Sequence, residues 1–193
     1  MNITKRQSEI IEVAAKTLTS SGLQGLTTKR LAQEMNFSES ALYRHFKSKE
    51  EILVTMLDYF ASLMEEFYSE TKGGNGMDKI KSLFLNQYHF FVAHPYYAII
   101  VFSEGLMEES EQIANAVKNV MATRMKFLVP LLSESQKSKL IVNTMSPEDM
   151  AHIIMGSNRL LLLKWKMNQF KFDLIQEGER HLSNVLNLLK TNK

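Results

Sequence analysis

Apolar residues recur at intervals of three and four almost from end to end of this chain, and that regularity restricts it to helical folds. No stretch alternates apolar and polar residues in β-branched runs, and no Asn-Gly pair sits between two strand-like segments. Breakers are few, 8 Gly and 3 Pro in 193 residues, so they punctuate helices rather than dissolve them. The pattern predicts a first helix over 5–20, with Ile10, Ala14 and Leu18 on one stripe and Gly22 as its stop. Thr27 is placed to cap a short helix over 28–35. Asn36 suits the left-handed conformation of a tight turn, and Ser38 caps a second short helix over 39–46. Ser48 with Glu51 makes a capping-box pattern ahead of a long helix over 49–71. Beyond the break Gly73-Gly74-Asn75-Gly76, helices are expected over 77–93, 95–107, 110–133, 147–167 and 173–189. Pro95 and Pro147 fit first-turn positions, whereas Pro130 is expected to kink or end its helix.

The two short helices of 27–46 form a helix-turn-helix. Leu31, Ala32 and Met35 would face inward from the first, and Leu42 and Phe46 from the second, with Phe37 plugging the corner. Ser38, Glu39, Ser40, Ala41, Tyr43, Arg44 and His45 are left outward. Small residues at a helix start followed by long donors suit a major groove: the first let the helix approach base edges, the second reach phosphate or guanine. Thr27, Thr28 and Lys29 open the preceding helix, whose amide end favours a phosphate, and Lys49 opens the next. No hairpin follows, which argues against a winged-helix regulator. Charge agrees weakly. Residues 1–50 hold eight Lys/Arg against five Glu, an excess of +3, while the rest of the chain stands at −1.

These residues resemble the TetR family of bacterial transcriptional regulators. Thr27-Thr28, Leu31-Ala32, Leu42-Tyr43-Arg44-His45-Phe46 and Ser48-Lys49-Glu50 match its pattern, and the match covers about 4–64, a third of the chain. The chain departs from the family at Asn36-Phe37, where Gly-Val is common, and at Ser40, where Gly or Pro is frequent; the operator sequence cannot be carried over. The resemblance implies an all-α protein. A three-helix headpiece at 1–48, or to about 64 with the connecting helix, reads DNA, and a helical bundle at 49–193 holds an effector and makes a homodimer. It also implies that Thr28, Tyr43, His45 and Lys49 touch phosphates and that Glu39, Ser40, Ala41 and Arg44 lie nearest the bases. The expected partner is a palindromic double-stranded operator, and the expected activity is repression relieved by a small molecule.

In the body, the helices over 147–167 and 173–189 are long, amphipathic and rich in Leu, Ile and Met, which suits a four-helix dimer interface, and Gly156 would allow close approach. The aromatic segment 88–97 and the Met-bearing helices around it suit a largely apolar effector pocket. The candidates are Tyr88, Phe91, Tyr97, Met121, Met125, Phe127, Met155, Arg159 and Trp165; aromatic and Met stripes of this kind are more often plain core. Arg159, inside the run IIMGSNRLLLLKW, is expected to be mostly buried and so to need a partner: Glu104, the other subunit or an effector carboxylate.

Other classes find little support. A di-metal carboxylate enzyme needs paired Glu-x-x-His motifs, and none occurs; nor does HExxH, a P-loop or GxSxG. With no Cys there is no disulfide or thiolate metal site. No enzyme activity, metal or cofactor is expected. The polar N-terminus and short apolar runs predict a cytoplasmic protein without membrane contact. The serious alternative is a constitutive DNA-binding or architectural protein whose helical body is solid.

Overall fold

The computed structural model describes residues 3–71, 73–100 and 105–191. Its helices are α1 (Lys5–Gly25), α2 (Thr28–Glu34), α3 (Glu39–Leu42), α4 (Lys49–Ser69), α5 (Gly76–Ala93), α6 (Tyr97–Ile100), α7 (Leu106–Glu109), α8 (Glu111–Lys137), α9 (Pro147–Met167) and α10 (Leu174–Leu188). Among the described residues there is no strand, only a single antiparallel bridge between Ile141 and Lys190. The class is all-α, as the periodicity requires.

Packing divides the chain into two units. The first holds Met1–Leu63 with Tyr96–Met121, and the second Met64–Pro95 with Ala122–Lys193. In the first, Ile10, Ile11 and Ala14 of α1 are buried with Leu31 of α2, Leu42 of α3 and Ile52, Leu53 and Met56 of α4. Full burial of an aliphatic side chain of this size stabilises by about 1.5–3 kcal/mol, so this cluster dominates the unit's cohesion. Caps set the helix starts. Thr4 and Gln7 make a capping box, Thr27 Oγ1 accepts from Arg30 N at 3.1 Å, and Ser38 Oγ accepts from Ala41 N at 3.2 Å. Gly22 takes φ 65° and Asn36 φ 55°, the left-handed values that a helix break and the tight turn demand.

In the second unit α10 packs on α5 and α9. Gly178 lies flat on the Tyr88 ring, where a Cβ would stand 2.5 Å from Cε2, and Tyr88 donates to Asn158 Oδ1 at 2.6 Å. Gly76 brings the start of α5 against the Leu131 carbonyl and Ser135 of α8. Trp165 closes the turn after α9, its indole donating to Phe172 O at 3.1 Å with its ring edge-on to Phe170.

Several boundaries differ from expectation for local reasons. The second short helix is a four-residue α-turn. Beyond Leu42 it tightens, with Arg44 N on Ala41 O and His45 N on Leu42 O, three residues back. Glu51 reaches back to Lys47 N, one residue before the capping-box position, while Ser48 caps Glu51 N at 3.1 Å as expected. Where one helix over 95–107 is expected, the described residues form α6 and α7, the latter preceded by Gly105, a poor helix former, at its N-cap; Pro95 lies in the turn before α6. Pro130 does not end its helix. α8 runs on to Lys137, because Leu128 and Leu132 continue the buried stripe on either side of it. Met35, expected inside, is half-buried at the end of α2.

Candidate nucleic-acid interface and ligand-binding region

The turn between α2 and α3 is held from both sides. Phe37 N donates to Ala32 O at 2.7 Å, and the Arg6 guanidinium lies 5.2 Å from the Phe37 ring centroid. Phe37 is thereby half-buried at the corner. Leu42 and Phe46 are buried, and this orients the rest of α3 and its flanks: Ser38, Glu39, Ser40, Tyr43 and Arg44 are exposed, Ala41 and His45 half-buried. Tyr43, 47% exposed, keeps its hydroxyl 3.4 Å from Thr28 Oγ1, which also reaches Glu39 Oε2 at 3.4 Å. Thr28, Glu39 and Tyr43 thus form one polar patch across the two helices. Thr27 and Lys29 are exposed beside it, and Gln7 of α1 donates to the His45 carbonyl at 3.2 Å, fixing the end of α3.

Lys49 is less free than its sequence position implies. Its ammonium donates to Leu23 O at 3.2 Å and pairs with Glu109 of α7 at 3.4 Å. Arg30 is committed to Glu34 at 3.1 Å and Ser21 at 2.7 Å, which leaves Lys29, Arg44 and Lys47 as exposed cations of this face.

The body residues proposed for a pocket separate. Tyr97, buried and stacked on Phe60, and Met121, exposed, belong to the first unit; the other seven belong to the second. There, Tyr88, Phe91 and Trp165 are buried, and Met125, Phe127 and Met155 half-buried. Phe127 stacks on Tyr68 with centroids 4.2 Å apart, and together with Leu83 and Pro130 they line a cavity of about 180 Å³. Arg159 corrects an expectation. It is exposed, because α9 turns Ala151, Ile154, Asn158, Leu162 and Trp165 inward and Arg159 falls on the opposite side. Its suggested partner Glu104 lies outside the described residues.

The buried guanidinium of the second unit is Arg124, a residue that sequence reasoning missed. It is 7% exposed, and among the described residues its Nε and Nη2 donate to nothing; the Asn158 Nδ2 is likewise buried and without a partner among them. The signal was present: Ile113, Ala116, Val120, Arg124, Leu128 and Leu132 form one three-and-four stripe along α8, with an arginine at a core position. Burial lowers the Arg124 pKa, countered by the Tyr68 and Tyr88 hydroxyls, and burial raises the pKa of both tyrosines. Among the described residues no group of three or more acidic, His or Cys side chains is placed to hold a metal, and no helix is long and apolar enough to cross a membrane.

Comparison with known proteins accords with this geometry. Residues 10–56 match the model for bacterial regulatory proteins of the tetR family. The chain is 23% identical over 171 residues to the fatty acid metabolism regulator protein of Bacillus subtilis (strain 168), covering 86% of this chain and 87% of that one. The matches to the first curated relatives are shorter and span 40–57% of those proteins' own length. Among solved structures, the ketosteroid transcriptional regulator KstR2 of Mycobacterium tuberculosis superposes with a TM-score of 0.82 at 19% identity, covering 99% of this chain and 98% of that one. The transcriptional regulator FadR of Bacillus subtilis, in complex with stearoyl-CoA, gives 0.76 at 19% identity over 95% and 98%. With its helix-turn-helix built as described, residues 10–56 of the chain are similar to the tetR family of bacterial regulatory proteins, and the chain as a whole shares the fold of solved regulators of that kind.

Proposed function

We propose that this regulator is a dimeric repressor that leaves its operator when a small molecule occupies the second unit. The observation that carries the DNA half is the outward face of α3. Its buried Leu42 and Phe46 leave Ser38, Ser40, Tyr43 and Arg44 facing solvent, beside Thr27, Thr28 and Lys29. Functionally the head comprises 1–48, extended to about 64 by α4, and the remainder serves the effector and the dimer. Tyr43, His45, Thr28 and Lys49 take phosphates, and Glu39, Ser40, Ala41 and Arg44 lie at base edges. Two heads about 34 Å apart then read a palindrome in successive major grooves.

The dimer reading is supported by α9 and α10. Ile153, Leu160 and Met167 recur every seven residues along α9, Leu160 being 66% and Met167 75% exposed, and Leu188 of α10 is 83% exposed. So much apolar surface on the last two helices suits a second copy. The effector reading is supported by the cavity that Tyr68, Leu83, Phe127 and Pro130 line, and by the aromatic and Met side chains of the same unit, Tyr88, Phe91 and Met125. A relative that regulates fatty acid metabolism and a neighbour complexed with stearoyl-CoA favour a ligand with a long apolar body. Such a protein works in the cytoplasm, where the DNA is.

The test is operator binding followed by fluorescence anisotropy, on a duplex obtained by genome-wide mapping of bound sites. Tyr43→Ala and Lys49→Ala should weaken binding to every sequence, and Lys49→Ala should also reduce its salt dependence by about one ion. Arg44→Ala should cost about 1–3 kcal/mol and relax selectivity at one base pair. Undiminished affinity in both Tyr43→Ala and Lys49→Ala would eliminate the assigned face.

A further inference from the structure

We infer that Arg124 is the anion-recognition residue of the second unit, and that its ligand is an amphipathic organic anion: an apolar body ending in a carboxylate or a phosphate. The inference rests on the effector reading above and assigns its chemistry. Arg124 stands where α8 otherwise places aliphatic residues. A guanidinium keeps its proton at any physiological pH, so the charge persists despite burial. A buried charge without a counter-charge is strongly disfavoured. No described residue supplies one, since Arg124 forms no ion pair or hydrogen bond among them. The phenols that act on it, Tyr68 and Tyr88, are themselves held neutral by burial.

The unpartnered groups are specific. Nε–H and Nη2–H form one edge of the guanidinium fork, the edge that engages two oxygens of a carboxylate or phosphate side-on. Tyr88 spends its proton on Asn158 Oδ1, which leaves Asn158 Nδ2 as a third buried donor without an acceptor. Three idle donors call for an acceptor-rich group. The buried Phe84, Tyr88, Phe91 and Leu128 make the interior of the same unit apolar, the environment that the rest of such a molecule requires.

The test uses the full chain with straight-chain carboxylates, alkyl phosphates and alcohols of eight to eighteen carbons, read by calorimetric binding and by thermal unfolding. Wild type should bind the best carboxylate or phosphate at least about tenfold more tightly than the matching alcohol, a modest return for one charge-assisted pair. The ratio of carboxylate to phosphate tells the two head groups apart. Arg124→Met should abolish that preference while melting, without ligand, at or above the wild-type temperature; Arg124→Lys should retain part of it. Three results overturn the inference: no anion binding at any chain length, equal anion binding by wild type and Arg124→Met, or a ligand-free Arg124→Met protein that melts well below wild type, which would mean that the chain itself already neutralises the charge. Operator release separates this from the gating model. Arg124-dependent anion binding without release sinks gating alone, whereas release by neutral ligands independent of Arg124 sinks only the anion assignment.

Discussion

Gly178→Ala is the sharpest probe of the second unit. In isolation the change favours folding, because alanine in a helix interior is better than glycine by about 1 kcal/mol. Here the new methyl would stand 2.5, 2.7 and 2.8 Å from three carbons of the Tyr88 ring. The ring is fully buried, tilted against Phe84, and tied to Asn158 by a 2.6 Å hydrogen bond. It cannot withdraw without breaking that bond. Overpacking costs about 1–3 kcal/mol and a lost buried hydrogen bond about 1–3 kcal/mol. Set against the propensity gain, the net loss is about 1–5 kcal/mol. For a chain of this size that lowers the melting temperature by roughly 2–20 °C. Thermal and urea unfolding of wild type, Gly178→Ala, Tyr88→Ala and the double variant measure it. The glycine substitution should be nearly free once the ring is gone, a coupling of at least about 1 kcal/mol. An unchanged or raised melting temperature for Gly178→Ala, or equal cost in both backgrounds, refutes the packing described.

Gly156 lies on the exposed side of α9, and a methyl added there would meet no atom within 4 Å. Gly156→Ala should therefore stabilise an isolated subunit by about 1 kcal/mol yet weaken the proposed dimer by crowding its axis. Sedimentation equilibrium beside thermal unfolding separates the effects, and an unweakened dimer removes Gly156 from the interface. Glu109→Gln should release Lys49 and raise operator affinity about two- to fivefold at low salt, the range of an exposed ion pair; anisotropy showing no gain would mean that the pair does not compete with DNA. His181 is held below the usual imidazole range by burial and then by Arg180, with a bond to the Ser157 backbone opposing them. Its folded pKa is depressed, so its contribution is present above pH 6.5 and is lost as pH falls through the folded pKa. His181→Gln should flatten the loss of urea resistance between pH 7 and acid, and parallel curves for the two proteins would contradict this.

The head was legible in the sequence because each of its devices is local. Thr27, Ser38 and Asn36 act within a few residues, and Leu42 and Phe46 dictate by periodicity which side chains of α3 must face out. What escaped was non-local. Whether Arg159 or Arg124 is buried depends on which side of α9 and α8 meets a neighbour, and the apolar run around Arg159 masked the phase of its helix. Pro130 does not end its helix for a similar reason: the proline rule describes one lost bond, whereas the flanking Leu128 and Leu132 continue the buried stripe beyond it. Lys49 looked free because Glu109 stands sixty residues away.

The make-up of the first unit also sets the order in which the protein can mature. Its described core draws on α1 to the first half of α4 and then, after an intervening segment assigned to the other unit, on Ala98, Leu106, Ile113 and Ala116. A ribosome that has released only the first 63 residues has made the whole helix-turn-helix but not the later pieces of the first unit's core. At about 5–20 residues per second, the missing segment from Tyr96 begins to emerge about 2–7 s later. The nascent N-terminal segment therefore passes through an interval with part of its core still missing, and expressing it as a short N-terminal fragment should prolong that vulnerable interval indefinitely.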